Sequence, residues 1–202
     1  MSTNTLLKLK QNKNKSDEYF TSEESVISLL PTLPSNKDIL IWEPTDIKGN
    51  LNITNVLLNN GYEVYYSGLL HDSKGIYESK EKNEHDFLVD RTPDFKDYFY
   101  IVTNPPFSKN NEFIDKCINI MCGNPFCRGF SLLMPLSCIC GQKRKRLWDD
   151  IVSYWGVTLY TFSKRVKFIQ PFDLKSVPAY FEVSWFSVDR LLPTGGIKIV
   201  LL

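Results

Sequence analysis

The sequence predicts an α/β domain in which a mostly parallel sheet is covered by helices on both faces. Short apolar runs of the kind buried on two sides, Asp38-Ile39-Leu40-Ile41-Trp42 and Tyr98 to Val102, are each followed by a turn and then by a stretch with helical spacing. Length and composition agree, because 202 residues with 43% apolar and 13% aromatic content suffice for one domain with a real core. Residues 1–16, rich in Lys, Asn and Ser, read as a flexible tail, and residues 17–202 as the single domain.

Composition also narrows the function classes. A net charge of +1 provides no global basic field, so any nucleic-acid contact has to come from local patches. The five cysteines, Cys117, Cys122, Cys127, Cys138 and Cys140, include no Cys-x-x-Cys pair and have neither His71 nor His85 nearby, which argues against a metal site. No signal peptide is read, and the longest apolar run, Phe130 to Cys140, is too short to span a bilayer. The expectation is a protein with free thiols in a reducing, cytoplasmic setting, the host cell interior if the chain is viral, with no membrane partner.

In chain order, Thr21 or Ser22 can cap a helix whose first turn holds Glu23 and Glu24, as the helix dipole prefers, and whose apolar residues are Val26, Ile27, Leu29 and Leu30. The run Asp38 to Trp42 is the first strand, Glu43 to Asn50 its turn, and Leu51 to Asn60 a helix closed by Gly61. Ligands of open α/β sheets sit at the carboxyl ends of strands where strand order reverses, so this turn is the expected cofactor site. Glu63 to Tyr66 reads as the second strand and His71 to Glu84 as a surface loop. Further on, Phe113, Ile114, Cys117, Ile118 and Met121 mark one face of a helix over Asn110 to Cys122, and Gly129 to Pro135 is a strand. Gln142-Lys143-Arg144-Lys145-Arg146 opens the next helix. Four cations at that end oppose the dipole, so the run is either a solvated face or an anion site that a nucleic-acid backbone would fill. Pro178 to Phe186 reads as a last strand.

The segment with the most chemistry is Thr103-Asn104-Pro105-Pro106-Phe107-Ser108. Each Pro fixes φ and pushes the residue before it out of the α region, which makes a stiff loop just past a strand. That loop sets the Asn104 carboxamide, the Pro105 carbonyl and the Phe107 ring side by side. Two acceptors and a stacking face suit a planar amine, while the plainer reading of Pro-Pro after a strand is a turn alone.

Asn104-Pro105-Pro106-Phe107 after a hydrophobic strand resembles the catalytic motif of the class I S-adenosylmethionine-dependent amino-methyltransferases. That family modifies adenine or cytosine amino groups in nucleic acid, or glutamine amides in protein. The resemblance covers roughly residues 17 to 188 and implies a Rossmann-like fold, with a mostly parallel seven-stranded sheet and an antiparallel last strand. It implies S-adenosyl-L-methionine as cofactor. Tyr19, Phe20 and Thr21 would wrap the methionine end, and Glu43, Pro44, Thr45 and Gly49 would form the cofactor turn. Asp86 would meet the adenine amino group and Phe87 the adenine ring.

Two departures accompany the resemblance. Thr45-Asp46-Ile47-Lys48 replaces the small residues of the usual Gly-x-Gly turn, which allows an altered loop, weakened cofactor binding or lost activity. Ser67-Gly68 stands where an acid commonly binds the ribose, with Asp72 a few residues on. Arg165, Lys167 and Phe168 are similar to the Arg-x-Lys-Phe stretch of small phage-type DNA adenine methyltransferases, whose Phe lies near the flipped base. With Lys143, Arg144, Lys145 and Arg146 they are the expected nucleic-acid contacts. The implied function is N6-methylation of adenine in DNA. Its rivals are cytosine-N4 or RNA adenine methylation, protein glutamine methylation, and a catalytically inactive module that binds nucleic acid or protein.

Overall fold

The structure, a computed structural model, describes residues 19–35, 37–46, 52–69, 84–169 and 175–202, apart from the side chain of Lys143. Its elements in chain order are β1 (Phe20–Thr21), α1 (Glu23–Ile27), β2 (Leu40–Glu43), α2 (Asn52–Asn59), β3 (Val64–Tyr66), β4 (Phe99–Thr103), α3 (Asn110–Gly123), β5 (Cys127–Pro135), α4 (Gln142–Tyr154), β6 (Val157–Thr161), β7 (Lys167–Ile169), β8 (Ser176–Pro178), β9 (Val183–Asp189) and β10 (Ile197–Leu201). The tail expected over residues 1–16 and the loop expected over His71 to Glu84 lie outside the described residues, except for Glu84 itself.

Seven strands form the main sheet in the order β10-β6-β9-β5-β4-β2-β3. β9 runs antiparallel to both its neighbours, and the other pairs are parallel. This is the expected Rossmann-like, mostly parallel arrangement. It differs in one respect: the antiparallel strand, expected to be the last, is followed by β10, which pairs parallel with β6 at the sheet edge. The last strand also begins later than its apolar run suggests. Pro178 has no N–H to donate and ends β8, residues 179–182 turn, and β9 starts at Val183.

Neighbouring residues along the central strands face opposite layers, as a pleated strand buried on two sides requires. Trp42, Ile101, Phe130, Leu132 and Phe186 join the core under α3 and α4, while Ile41, Tyr100, Val102, Leu133 and Trp185 join the core under α1 and α2. At β4 and β5 the register slips between Phe99 and Tyr100, with Phe99 opposite Cys127 and Tyr100 opposite Gly129. There the buried Tyr100 hydroxyl donates to the Phe130 carbonyl at 2.9 Å. The Tyr100 ring occupies the space a side chain at position 129 would need, since a Cβ on Gly129 would lie 2.0 Å from the Val188 carbonyl and 2.8 Å from the Tyr100 ring.

Gly129→Ala must therefore part β5 from β9 or displace Tyr100. It is expected to destabilise the fold by about 1–3 kcal/mol or more, read as a drop in the urea midpoint, and an unchanged midpoint would contradict this packing.

Candidate active site

The loop after β4 is met by a second, three-stranded sheet in the order β1-β7-β8. β1 pairs antiparallel with β7, Thr21 opposite Phe168, and this carries Tyr19 to the loop. The Asn104 Nδ2 donates to the Tyr19 carbonyl at 2.8 Å. With its nitrogen so held, the Asn104 Oδ1 is left buried and without a partner among the described residues. The Pro106 carbonyl accepts from the Lys109 N–H at 2.8 Å, whereas the Pro105 carbonyl accepts from no backbone N–H among the described residues. The Phe107 ring is partly exposed, lies 6.2 Å from Tyr19 at an interplanar angle of 25°, and meets Phe168 and Phe181 edge-on at 5.7 and 5.3 Å. The loop thus offers two acceptors beside a fixed ring, one of them the unpaired Asn104 Oδ1. Thr21 adds a second unsatisfied side-chain group, since its buried Oγ1 has no partner among the described residues, while its carbonyl accepts from Asn52 Nδ2.

Beneath the loop, the end of β2 is tied to the end of β4. Glu43 is 1% exposed. Its Oε1 contacts the hydroxyls of Thr45, at 2.7 Å, and Thr103. The two hydroxyls are 2.8 Å from one another, and the Thr45 N–H reaches Glu43 Oε2 at 3.2 Å. Three oxygen–oxygen contacts need three protons, and two threonines supply only two, so a protonated carboxyl completes the ring. The charge state agrees: burial, above all, pushes the Glu43 carboxyl up to about 8, with Asp46 raising it further against the lowering effect of the two threonines. Pro44 is buried, and Gly49 lies outside the described residues.

The other expected site residues divide. Asp86 is partly exposed, and its Oδ1 accepts from the Leu88 N–H at 2.9 Å, as a turn-forming Asp does. Phe87 does not present a face to a ligand. It is 3% exposed and stacked on Phe113 at 4.9 Å, because the turn from Asp86 to Asp90 points it into the core beside Trp42. Ser67 is fully buried, and its hydroxyl accepts from the Trp42 indole at 3.0 Å, so it cannot reach a ribose; Asp72 lies outside the described residues.

The basic run at the start of α4 is not a row of free cations. Arg144 donates to Asn111 Oδ1 at 2.6 Å and to the carbonyls of Ser137 and Cys140, and Lys145 pairs with Asp149 one turn on. Arg146 lines an open cavity of about 780 Å³ with Glu112, Asp115 and Asp150, and the side chain of Lys143 is outside the described residues. Arg165 is exposed and 3.6 Å from Glu182, and Lys167 is exposed. Phe168, 2% exposed, backs Phe107 rather than reaching a base, because β7 is the central strand of the small sheet and turns this residue inward.

Sequence reasoning missed Thr103, which reads as an ordinary strand end, and Phe181, which reads as one aromatic of a strand. No described helix is long and apolar enough to cross a membrane, and the described residues hold no group of three His, Cys, Asp or Glu fit for a metal.

Glu43 gives the site a pH dependence. Between its ordinary 4.5 and about 8 the folded carboxyl keeps a proton that the unfolded one has lost, so its contribution to stability is whole below 4.5 and declines as pH rises toward 8. The decline is at most ~1.4 kcal/mol per pH unit. Glu43→Gln, neutral throughout, is expected to flatten the fall of the urea midpoint from pH 5 to 8; parallel profiles for the two proteins would exclude a protonated Glu43.

No protein-family profile and no curated protein matches the chain. Solved structures do. A 23S rRNA methyltransferase, ErmE, matches with a TM-score of 0.54 at 15% identity, over 87% of this chain and 71% of that one. A dimethyladenosine transferase from Plasmodium falciparum matches at 0.54 and 14%, over 85% and 62%, so this chain spans less than two thirds of it. A protein from Listeria monocytogenes assigned to the class I S-adenosylmethionine-dependent methyltransferases matches at 0.55 and 15%, over 98% and 70%. At these identities the likeness is one of fold, and the fold of this chain is the Rossmann-like fold of the class I methyltransferases.

Proposed function

We propose that this chain is an S-adenosylmethionine-dependent methyltransferase acting on the exocyclic N6 of adenine in nucleic acid, with DNA as the substrate. The observation that carries the reading is the Asn104 side chain, whose nitrogen is held by Tyr19 while its buried oxygen stays unpaired, one residue before the Pro105 carbonyl. A buried acceptor left unmet costs about 1–3 kcal/mol, which a donor from an incoming amine would recover.

The residues at the carboxyl ends of β2 and β4 fit the cofactor. The unpaired Thr21 hydroxyl and the turn from Pro44 to Thr45, braced from beneath by the buried Glu43 carboxyl, would hold its amino-acid end, and Asp86 its adenine amino group. Bound there, S-adenosylmethionine supplies an electrophilic methyl group. The chain supplies the acceptor's geometry. Adenine N6 is a poor nucleophile because its lone pair is delocalised into the ring. Asn104 Oδ1 and the Pro105 carbonyl, accepting its two N–H groups, hold that lone pair out of the ring, an effect of positioning and electrostatics. Phe107 stacks on the base, a contact worth about 1–3 kcal/mol. A base in a duplex has to be flipped out first, at a cost of a few kcal/mol.

RNA is the second reading, favoured by two structurally similar proteins, an rRNA methyltransferase and a dimethyladenosine transferase.

Asn104→Ala is expected to lower methyl transfer by roughly 10²-fold or more in a radiolabel assay, in line with loss of a preorganised polar contact, while calorimetry finds cofactor affinity near wild type. Turnover like wild type would sink the mechanism. Phe107→Ala should retain part of the activity, because stacking is one contact among several. Matched DNA and RNA oligonucleotides carrying adenine or cytosine as the sole acceptor separate the substrate readings. Transfer to none of them, with no cofactor binding at millimolar concentration, would leave the inactive module.

A further inference from the structure

Tyr180 and Phe181, on the turn between β8 and β9, have no role in the scheme above. Tyr180 is 84% exposed and Phe181 41%, which is unusual for two adjacent large rings. The turn is nevertheless anchored: the buried Ala179 donates its N–H to the Val166 carbonyl at 2.9 Å, and Phe181 stands edge-on to Phe107 at 5.3 Å. The Tyr180 side chain has no hydrogen bond or ring partner among the described residues. Beside it, the segment leading into β7 exposes Lys164, Arg165 and Lys167, with Arg165 near Glu182 of the same turn. A ring open on both faces, one residue from the ring that touches the catalytic loop and bordered by cations, has the make-up of a stacking platform with an electrostatic track.

We propose that Tyr180 stacks on the nucleotide next to the target base while Lys164, Arg165 and Lys167 follow its backbone. The site then favours single-stranded or looped nucleic acid, where the neighbour's face is already free, whereas in a duplex that face is freed only when the target base leaves the stack. This rests on the nucleic-acid reading above.

Fluorescence anisotropy on the full chain, with a labelled single-stranded oligonucleotide containing one adenine, tests it. Tyr180→Ala is expected to raise Kd roughly 5- to 100-fold, and Tyr180→Trp to stay within about twofold of wild type. Thermal melting should be unmoved by either change at so exposed a position. An abasic site on the 5′ or the 3′ side of the adenine should weaken wild type and leave Tyr180→Ala unaffected on that same side. Wild-type binding with an unchanged Kd for Tyr180→Ala overturns this inference alone. No binding of wild type to any oligonucleotide overturns the nucleic-acid reading together with it.

Discussion

The site depends on a carboxyl buried where no cation meets it among the described residues. Glu43 closes β2, Thr103 closes the neighbouring β4, and Thr45 opens the turn after β2, so the hydrogen-bonded ring of these three locks two strand ends together. An ionised carboxylate in that place would carry a large desolvation cost, and the raised titration of Glu43 is how the protein avoids it. Asn104 follows Thr103 directly. Whatever sets the position of the Glu43 carboxyl therefore also sets where the Asn104 backbone leaves the sheet, and the turn expected to hold the cofactor is coupled to the loop expected to hold the acceptor. The Thr45 that departs from the small residues of the Gly-x-Gly turn is part of this lock, a structural reason for a side chain there.

A second constraint acts from the other side. β1 is two residues long and cannot stand alone, but pairing with β7 fixes the carbonyl of Tyr19, and that carbonyl orients the Asn104 amide. α1 is held in turn, because the Trp185 indole of β9 donates to the Ser25 carbonyl at 2.9 Å. The start of the described chain and the segment between β6 and β9 thus meet over one loop from opposite ends of the sequence. The orphaned Oδ1 follows from this: an amide with one end clamped by backbone has no freedom to turn its other end toward another protein donor.

Features set by local periodicity were legible in the sequence. The helix over Asn110–Gly123 and the strand over Cys127–Pro135 follow from apolar spacing, and the stiff loop from its two prolines. Features set by a distant partner were not. Thr103 is a routine strand residue until Glu43 lies beneath it, and Phe87 suits a ligand face or a core equally until Phe113 covers it. The run Lys143 to Arg146 reads as a charge cluster because sequence does not reveal that Arg144 satisfies the open carbonyls of Ser137 and Cys140 and that Lys145 meets Asp149. The small sheet was hidden for the same reason: its strands are two or three residues long, below the length at which alternation is readable.

The fate of those cations bears on how a nucleic acid would be held. With Arg144 tied to Asn111, Ser137 and Cys140, the exposed cations nearest the loop among the described residues include Lys109, shared with Glu112, and Lys164, Arg165 and Lys167, with Arg165 shared with Glu182. Backbone neutralisation by two or three cations is a small, salt-sensitive term. Aromatic surface is more plentiful: Tyr19, Phe107 and Phe181 surround the loop, with the first two packed on the buried Phe168, and Tyr180 follows Ala179 on the same turn as Phe181. Most of the binding free energy would then come from stacking on unpaired bases, which every base can provide. Selection among bases would then fall to the acceptors at Asn104 and Pro105, which favour a base that carries an exocyclic amino group.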